Sequence, residues 1–316
     1  MRDELVTVAL DSLGVLRARG EDVVSFLQGQ LSNDLTRLGP DRSLLAGYHN
    51  PQGRVIALLR LLQPAAADVL AVLPRELVGP VSARLLKYVL RAKVKLADES
   101  ALWRIEGLLV QGGEAAGRGD ETYQHGGITL PVAVNATARI AAATVVRLAQ
   151  EPARWLLVSP VSQAPLPGTR AASEPIIWQR LAVAAGEPQV YAATSEEFVA
   201  QMLNLDCLGA IAFDKGCYTG QEVIARAHYR GRVKRRMQRF VTAAAGQLRP
   251  GDAGALKDGR TFKVVDAVQL ADRRCEFLAV TQVPGAAAAE TTPPAGADGA
   301  APLEAQQLGL PYVLPE

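Results

Sequence analysis

Cysteine, aromatic residues and any excess of one charge are all scarce in this 316-residue chain. The three cysteines, Cys207, Cys217 and Cys275, are too few and too scattered for a disulfide framework, so we expect a reducing compartment, most simply the cytoplasm. Aromatic residues make up 5% of the chain, and the net charge of +2 points to neither nucleic acid nor a membrane surface. Because no apolar run approaches the roughly 20 residues of a membrane span, we expect no membrane association.

The apolar pattern predicts an α+β fold. Segments with strand-like alternation and segments with helical spacing follow one another without the regular order of a doubly wound parallel sheet. The turn residues Asn50-Pro51-Gln52-Gly53 separate two apolar runs and predict a β-hairpin. Helices are predicted over residues 22–35, from Pro80 onward, over residues 174–185, and after Thr194 and Glu197, which have the spacing of a capping box.

The pattern changes near residue 233. From there short alternating runs predict a small β-rich module, with Asp258-Gly259 as a hairpin turn. We therefore divide the chain into an α+β region, residues 1–232, and a C-terminal module, residues 233–316. Within the second, residues 285–302 are rich in alanine and proline and are predicted to be a flexible segment.

The most informative motif is Lys-Gly-Cys-Tyr-Thr-Gly-Gln-Glu at residues 215–222. Thr219 and Glu222 have capping-box spacing, so a helix is predicted to begin at Gly220. Cys217 then precedes a helix N-terminus, with Lys215 and Arg226 as neighbouring cations. These influences lower the pKa of a thiol and favour the reactive thiolate.

A buried, inert cysteine is the competing interpretation, because most free cysteines behave as small apolar residues. A metal site built by this chain alone is not predicted, since no Cys-x-x-Cys or Cys-x-x-His pair is present. If Cys217 holds a metal, the other ligands come from a partner protein or a small thiol. His49, His125 and His228 are too widely separated in sequence to predict a metal site.

The octapeptide resembles the signature of the YgfZ family, which is related to the glycine-cleavage aminomethyltransferases. Its flanks, residues 198–206 and 225–235, resemble that family too, as do residues 26–35 near the N-terminus. The resemblance spans about residues 5–283. It implies two interlocked ferredoxin-like modules and a C-terminal β-barrel around a central cleft. It also implies tetrahydrofolate as cofactor and a role in the synthesis or repair of iron–sulfur clusters in client enzymes, with an effect on tRNA modification.

The resemblance also implies which residues contact folate. Trp178 occupies the position at which the family presents a tryptophan, and an indole face stacks well on a flat ring. A core position on the helix is the competing interpretation of Trp178. The second family tryptophan corresponds to Leu13, which cannot stack. We assign Tyr218, Gly220, Gln221, Glu222 and Arg226 to the folate site together with Trp178, and Cys217 with Lys215 to the chemistry.

Two alternatives remain beside this hypothesis. A true aminomethyltransferase carries a carboxylate shortly after the hairpin turn, but residues 53–58 here contain none. We therefore expect a transferase-like accessory factor without that activity. An RNA-binding module is the other alternative, because Arg230, Arg232, Lys234 and Arg236 alternate and predict a basic strand face. Few aromatic residues interleave with them, so we do not expect direct tRNA binding. Iron–sulfur assembly or client proteins are the expected partners.

Overall fold

The computed structural model describes residues 4–111, 122–125, 127–149, 153–172, 176–231, 233–243, 247–283 and 301–315. The α-helices are α1 (Val23–Gln28), α2 (Arg75–Leu86), α3 (Ile176–Ala184) and α4 (Gln221–Tyr229). The first strands are β1 (Glu4–Ala9), β2 (Leu13–Arg19), β3 (Leu44–His49), β4 (Val55–Ala65), β5 (Asp68–Pro74) and β6 (Lys95–Asp98). The middle strands are β7 (Trp103–Gln111), β8 (Thr122–His125), β9 (Ile128–Pro131), β10 (Thr137–Ile140), β11 (Ala143–Ala149), β12 (Arg154–Pro160) and β13 (Thr169–Ala171). The last strands are β14 (Arg235–Thr242), β15 (Ala253–Ala255), β16 (Thr261–Gln269), β17 (Cys275–Gln282) and β18 (Gln306–Leu308).

These strands form three large sheets. Sheet 1 has the order β3-β4-β5-β2-β6 and is antiparallel, and sheet 2 has the order β10-β11-β12-β7-β1-β13, with one parallel pair between β1 and β13. The chain enters sheet 2 through β1, builds sheet 1, and then returns to pair β7 with β1. Sheet 3 has the order β15-β16-β17-β14-β18. The mixed α+β architecture is therefore confirmed.

Sheet 3 differs from the expected barrel. Among the described residues its two edges are joined by a single bridge between Leu256 and Leu303, rather than by a continuous ladder. The strands of this sheet lie between residues 235 and 308. The segment predicted to be flexible, residues 285–302, falls outside the described residues except for its last two positions.

Apolar packing joins the sheets. One cluster combines sheet 1 with α2 and with the apolar side of β16 and β17, including Leu77, Val265 and Leu278. A second cluster joins sheets 1 and 2, where Val15 and Leu109 belong to the same core and Trp178 of α3 packs against it. Burial of this kind is the main favourable term in folding. No helix of the described chain is long and apolar enough to cross a membrane.

The structure tests several of the local predictions. The hairpin is confirmed, with Asn50 O accepting the amide of Gly53 at 2.9 Å. The first helix is shorter than predicted and ends at Gln28, and α2 begins at Arg75, so Pro80 lies inside it. The helix predicted to start at Thr194 is wrong: residues 192–203 form two short 3-10 helices, Ala192–Thr194 and Ala200–Leu203, instead.

Other contacts of Thr194 and Glu197 explain why no helix forms at the predicted capping box. The hydroxyl of Thr194 accepts the amide of Tyr191, which precedes it, and the carboxylate of Glu197 pairs with Lys263 of sheet 3. Both side chains of the apparent capping box are therefore engaged elsewhere.

Candidate functional site

A cavity of about 1300 Å³ lies where the three sheets meet. Sheet 1 contributes Leu13, Leu58 and Arg60 to its wall, and sheet 2 contributes Arg154. Helix α3 supplies Trp178. The cavity exceeds the roughly 300–1,000 Å³ of ordinary ligand pockets, so it has room for a ligand with more than one ring.

Trp178 is a half-buried wall residue of this cavity. Its indole lies against the backbone of Gly107 on β7, where a side chain of any size would overlap the ring. The guanidinium carbon of Arg154 lies 5.1 Å from the centre of the indole. Leu13, which corresponds to the second tryptophan of the family, lines the same cavity and contributes an apolar side chain to its wall.

A buried carboxylate, Asp266, lines the cavity from β16. Its oxygens accept hydrogen bonds from Gln179 Nε2 at 2.9 Å and from the Tyr191 hydroxyl at 3.1 Å. Burial raises the pKa of Asp266, and these bonds act in the opposite direction. Sequence reasoning missed this residue, although a single acid inside the apolar run at residues 264–268 was a usable signal.

Two arginines on the wall were also missed. Arg154 is fully buried and its Nη2 lies 2.7 Å from Glu187 Oε1. Arg60 interrupts the apolar run of β4, and burial lowers its pKa to about 10. The interruption was the sequence signal, because a charged residue within a buried strand is rarely accidental.

The cysteine motif forms the loop before α4. Cys217 is exposed, and α4 begins at Gln221 after the N-cap residue Gly220. The capping box of Thr219 and Glu222 is corrected by this geometry, since Gly220 caps with a left-handed backbone, φ 82°. A side chain at Gly220 would collide with the carbonyl of Asn50, so the hairpin turn docks directly on the start of the helix.

Lys215 is held by the end of α1. Its Nζ donates to the carbonyls of Gln28 at 2.7 Å, Leu31 at 2.6 Å and Asn33 at 2.9 Å. Burial lowers the pKa of Lys215 to about 8. The ammonium group therefore fastens the motif loop to the body of the protein.

The remaining motif residues lie on or beside α4. Tyr218 is buried below Lys215, whose Nζ is 5.0 Å from the ring centre, and burial raises the pKa of Tyr218 to about 12. Gln221 is half-buried, and Glu222 and Arg226 are exposed. The described residues that line the large cavity include none of these residues and do not include Cys217. The structure thus places Trp178 in the cavity wall and the residues of the cysteine motif outside the cavity lining.

Aromatic rings cover the outer face beside the motif. Phe213 stacks on His228 with centroids 3.7 Å apart, and Tyr229 meets both rings edge-on. A second cavity, of about 550 Å³, lies next to Tyr229 and is lined by Arg226 and Arg230.

The predicted basic strand face is wrong in part. Arg236 is buried and pairs with Asp206 at 2.8 Å, while Arg235 Nη2 donates to carbonyls of neighbouring strands. Arg232 lies outside the described residues. The alternation therefore reflects one inward ion pair and not a uniform surface for phosphates.

The three cysteines are free, and Cys207 rather than Cys217 lines the large cavity. Burial, followed by the neighbouring Asp206, raises the pKa of Cys207 to about 11. Within the described part of the chain no group of three or more histidine, cysteine, aspartate or glutamate residues could hold a metal ion.

Comparisons with known proteins found a relative by sequence and a neighbour by fold. The chain is 31% identical to the tRNA-modifying protein YgfZ of Escherichia coli O157:H7 over 280 residues, which cover 85% of this chain and 82% of that protein. The structure is similar to the glycine cleavage system aminomethyltransferase T of Bartonella henselae, with a TM-score of 0.64 and 13% identity. That match covers 89% of this chain and 78% of the other, and shows a shared fold. No protein-family model matches the sequence.

Proposed function

The chain belongs to the YgfZ family, and from this relationship we propose that it is a tetrahydrofolate-binding protein that supports tRNA modification. The observation that carries the proposal is the cavity at the junction of the three sheets, with Trp178 in its wall. The half-buried indole of Trp178 and the apolar side chain of Leu13, both in the cavity wall, suit a flat, partly apolar ring system. Polar groups from Gln179, Tyr191 and Asp266 offer donors and acceptors for the edge of such a ring.

The residues of the cavity fit folate binding better than aminomethyl transfer. Leu58, within the stretch where the transferases carry a carboxylate, contributes an apolar side chain to the wall. The carboxylates that do line the cavity already have partners. Asp266 accepts from Tyr191 and Gln179, Glu187 pairs with Arg154, and Glu76 accepts the amide of Ala192. An acid–base catalyst needs a carboxylate free to exchange a proton with the ligand.

Cys217 is the second part of the proposal. Its exposure at the start of α4 leaves the thiol accessible to a partner protein. A thiolate there can ligate a cluster or form a covalent bond, and we assign it to assisting synthesis or repair of iron–sulfur clusters in client enzymes. Since Cys217 lies apart from the folate cavity, folate and client occupy different faces.

The finer architecture belongs to the same proposal. We assign sheets 1 and 2 to the two interlocked ferredoxin-like modules of the resemblance, and sheet 3, which does not close into a continuous ladder in the described residues, to the place of its C-terminal barrel. A cytoplasmic location remains a prediction from the cysteine content.

Titration of the full-length protein with tetrahydrofolate tests the cavity. We expect quenching of tryptophan fluorescence with micromolar affinity, about −8 kcal/mol. Trp178→Ala weakens binding by roughly 1–3 kcal/mol, as for removal of an aromatic from a stacked base. Trp178→Phe, the matched control, retains most of the affinity. If a folded Trp178→Ala variant binds as tightly as the native protein, the ring has only a packing role.

Complementation tests the cysteine. In cells that lack the native protein, Cys217→Ser abolishes support of iron–sulfur enzymes while tetrahydrofolate binding in vitro is retained. Cys207→Ser is the comparison variant on the cavity side. Full rescue by Cys217→Ser would place the chemistry elsewhere.

A further inference from the structure

A cationic corner of the large cavity brings together residues remote in sequence. Arg60 comes from sheet 1, Arg154 from sheet 2, and Glu187 from the segment after α3, and all three line the cavity. The pKa of Arg60 responds to both neighbours, since Glu187 raises it and Arg154 lowers it, although burial is the larger influence. Glu187 pairs directly with Arg154, whereas the partners of Arg60 are Asn135 and Ser43.

Arg60 is held in a defined orientation. Its Nη1 donates to Asn135 Oδ1 at 2.5 Å and lies 3.4 Å from Ser43 Oγ. Asn135 has a left-handed backbone, φ 67°, and its carbonyl accepts the amide of Ser43 at 2.8 Å. Asparagine tolerates this conformation better than other non-glycine residues, and such positions gather at ligand sites. The loop therefore aims an amide oxygen at Arg60.

Donor groups in this corner exceed the acceptors. A guanidinium carries five N–H groups, and the described residues accept hydrogen bonds from Arg60 through Nη1 alone. Nε and Nη1 of the fully buried Arg154 have no hydrogen-bond partner among the described residues. Because buried N–H donors without acceptors are costly, this surplus beside two guanidinium groups and one carboxylate points to a ligand that supplies negative charge.

The corner adjoins the aromatic wall. Arg154 lies over the indole of Trp178 and pairs with Glu187 at the same time. A ligand whose ring stacks on Trp178 therefore places a substituent of that ring toward the two arginines.

We propose that Arg60, oriented by Asn135 and backed by Arg154, binds a carboxylate of the glutamyl tail of folate. This inference rests on the proposed function and deepens it. The planar guanidinium matches a carboxylate with paired hydrogen bonds, and the neighbouring Arg154 adds charge without direct contact. The cavity is then selective for glutamylated folates over pteridines that lack glutamate.

Two ligands separate this proposal from folate binding in general. Tetrahydrofolate and the uncharged primary amide of tetrahydropteroate share the ring system and the benzoyl amide and differ by the glutamate, so calorimetric titration of the full-length protein with each isolates the tail. We expect native protein to bind tetrahydrofolate at least about 10-fold more tightly. Arg60→Gln weakens the binding of tetrahydrofolate by about 10–100-fold, the range for hydrogen bonds to a charged group, and leaves the affinity for tetrahydropteroate amide within about twofold.

Matched variants complete the design. Arg42→Gln makes the same change at an exposed arginine that is not part of the cavity lining. We expect it to leave the affinity for both ligands unchanged. Asn135→Gly keeps the left-handed backbone but removes the oxygen that orients Arg60. We therefore expect it to weaken the binding of tetrahydrofolate alone, by about 3–10-fold. Arg60→Lys keeps the charge and loses the paired donors, so its affinity for tetrahydrofolate falls between those of the native protein and Arg60→Gln. Thermal melting verifies that each variant is folded.

The outcomes are distinct. If native protein binds neither ligand, the folate function itself fails. If it binds both equally, or if Arg60→Gln and Asn135→Gly weaken both ligands alike, folate binding stands and the tail site is overturned.

Discussion

The indole ring of Trp178 lies on the backbone of Gly107 in β7, and this contact is possible because residue 107 has no side chain. Gly107→Ala therefore displaces the ring from the cavity wall. We expect tetrahydrofolate affinity to fall by roughly 1–3 kcal/mol, similar to loss of the stacking ring itself. Gly79→Ala is the control, because nothing lies near an added methyl group there and alanine favours the helix. Equal affinity in native and Gly107→Ala protein would contradict the assignment of Trp178.

The three thiols differ in exposure, and alkylation should follow that order. Cys217 is exposed, whereas burial raises the pKa of Cys207 to about 11 and also raises that of the buried Cys275. At pH 8 a thiol with a pKa of about 11, that of Cys207, is roughly one-thousandth thiolate. Mass spectrometry after brief iodoacetamide treatment should find Cys217 modified first, at least about tenfold faster. Faster labelling of Cys207 would mean that the cavity opens in solution.

Lys215→Met should loosen the motif loop. The substitution removes three hydrogen bonds, to the carbonyl of the last residue of α1 and to two carbonyls in the segment after it, and leaves those oxygens without this donor. We expect the free energy of unfolding to fall by at least about 2 kcal/mol in urea denaturation. Lys234→Met, at an exposed position, should change it by less than about 0.5 kcal/mol. Similar stability of the two variants would show that Lys215 does not fasten the loop.

His49 should make the protein sensitive to mild acid. Burial lowers its pKa from 6.5 to about 3, and the Gly53 backbone offsets only part of that shift. Below pH 6.5 the unfolded chain therefore binds a proton that the folded chain does not, so stability falls as pH falls, by about 1.4 kcal/mol per unit. Roughly 2 kcal/mol should be lost between pH 6.5 and 5. His49→Phe should remove this part of the slope, and parallel slopes for the two proteins would exclude His49 as the cause.

The ion pair between Arg236 and Asp206 should be structural. Both side chains are almost fully buried, at 4% and 7% exposure. Arg236→Met leaves a buried carboxylate without its partner, which should cost about 3–5 kcal/mol of stability. Arg274→Met, in an exposed pair with Asp272, should cost less than about 1 kcal/mol. If Arg236→Met is as stable as native protein, the arginine is available for another partner.

Local sequence signals account for much of the fold and for the cysteine motif. The hairpin at residues 50–53, helix α3 with Trp178, and a helix directly after Cys217 all follow from residues close together in the chain. Turn residues, helical spacing and glycine positions act over a few residues, so one sequence suffices to read them. The signature octapeptide likewise indicates the family, because its residues are consecutive in the chain.

Only the tertiary structure decided how these parts meet. Arg60, Arg154 and Asp266 belong to three different sheets, and their convergence on one cavity depends on sheet packing that no local pattern encodes. The same packing paired Glu197 with Lys263, turned Arg236 inward to Asp206, and fastened Lys215 to α1. A buried polar side chain must satisfy its charge and hydrogen bonds wherever partners lie in space. Sequence proximity does not supply those partners, and for this reason the motif loop and the cavity occupy separate places.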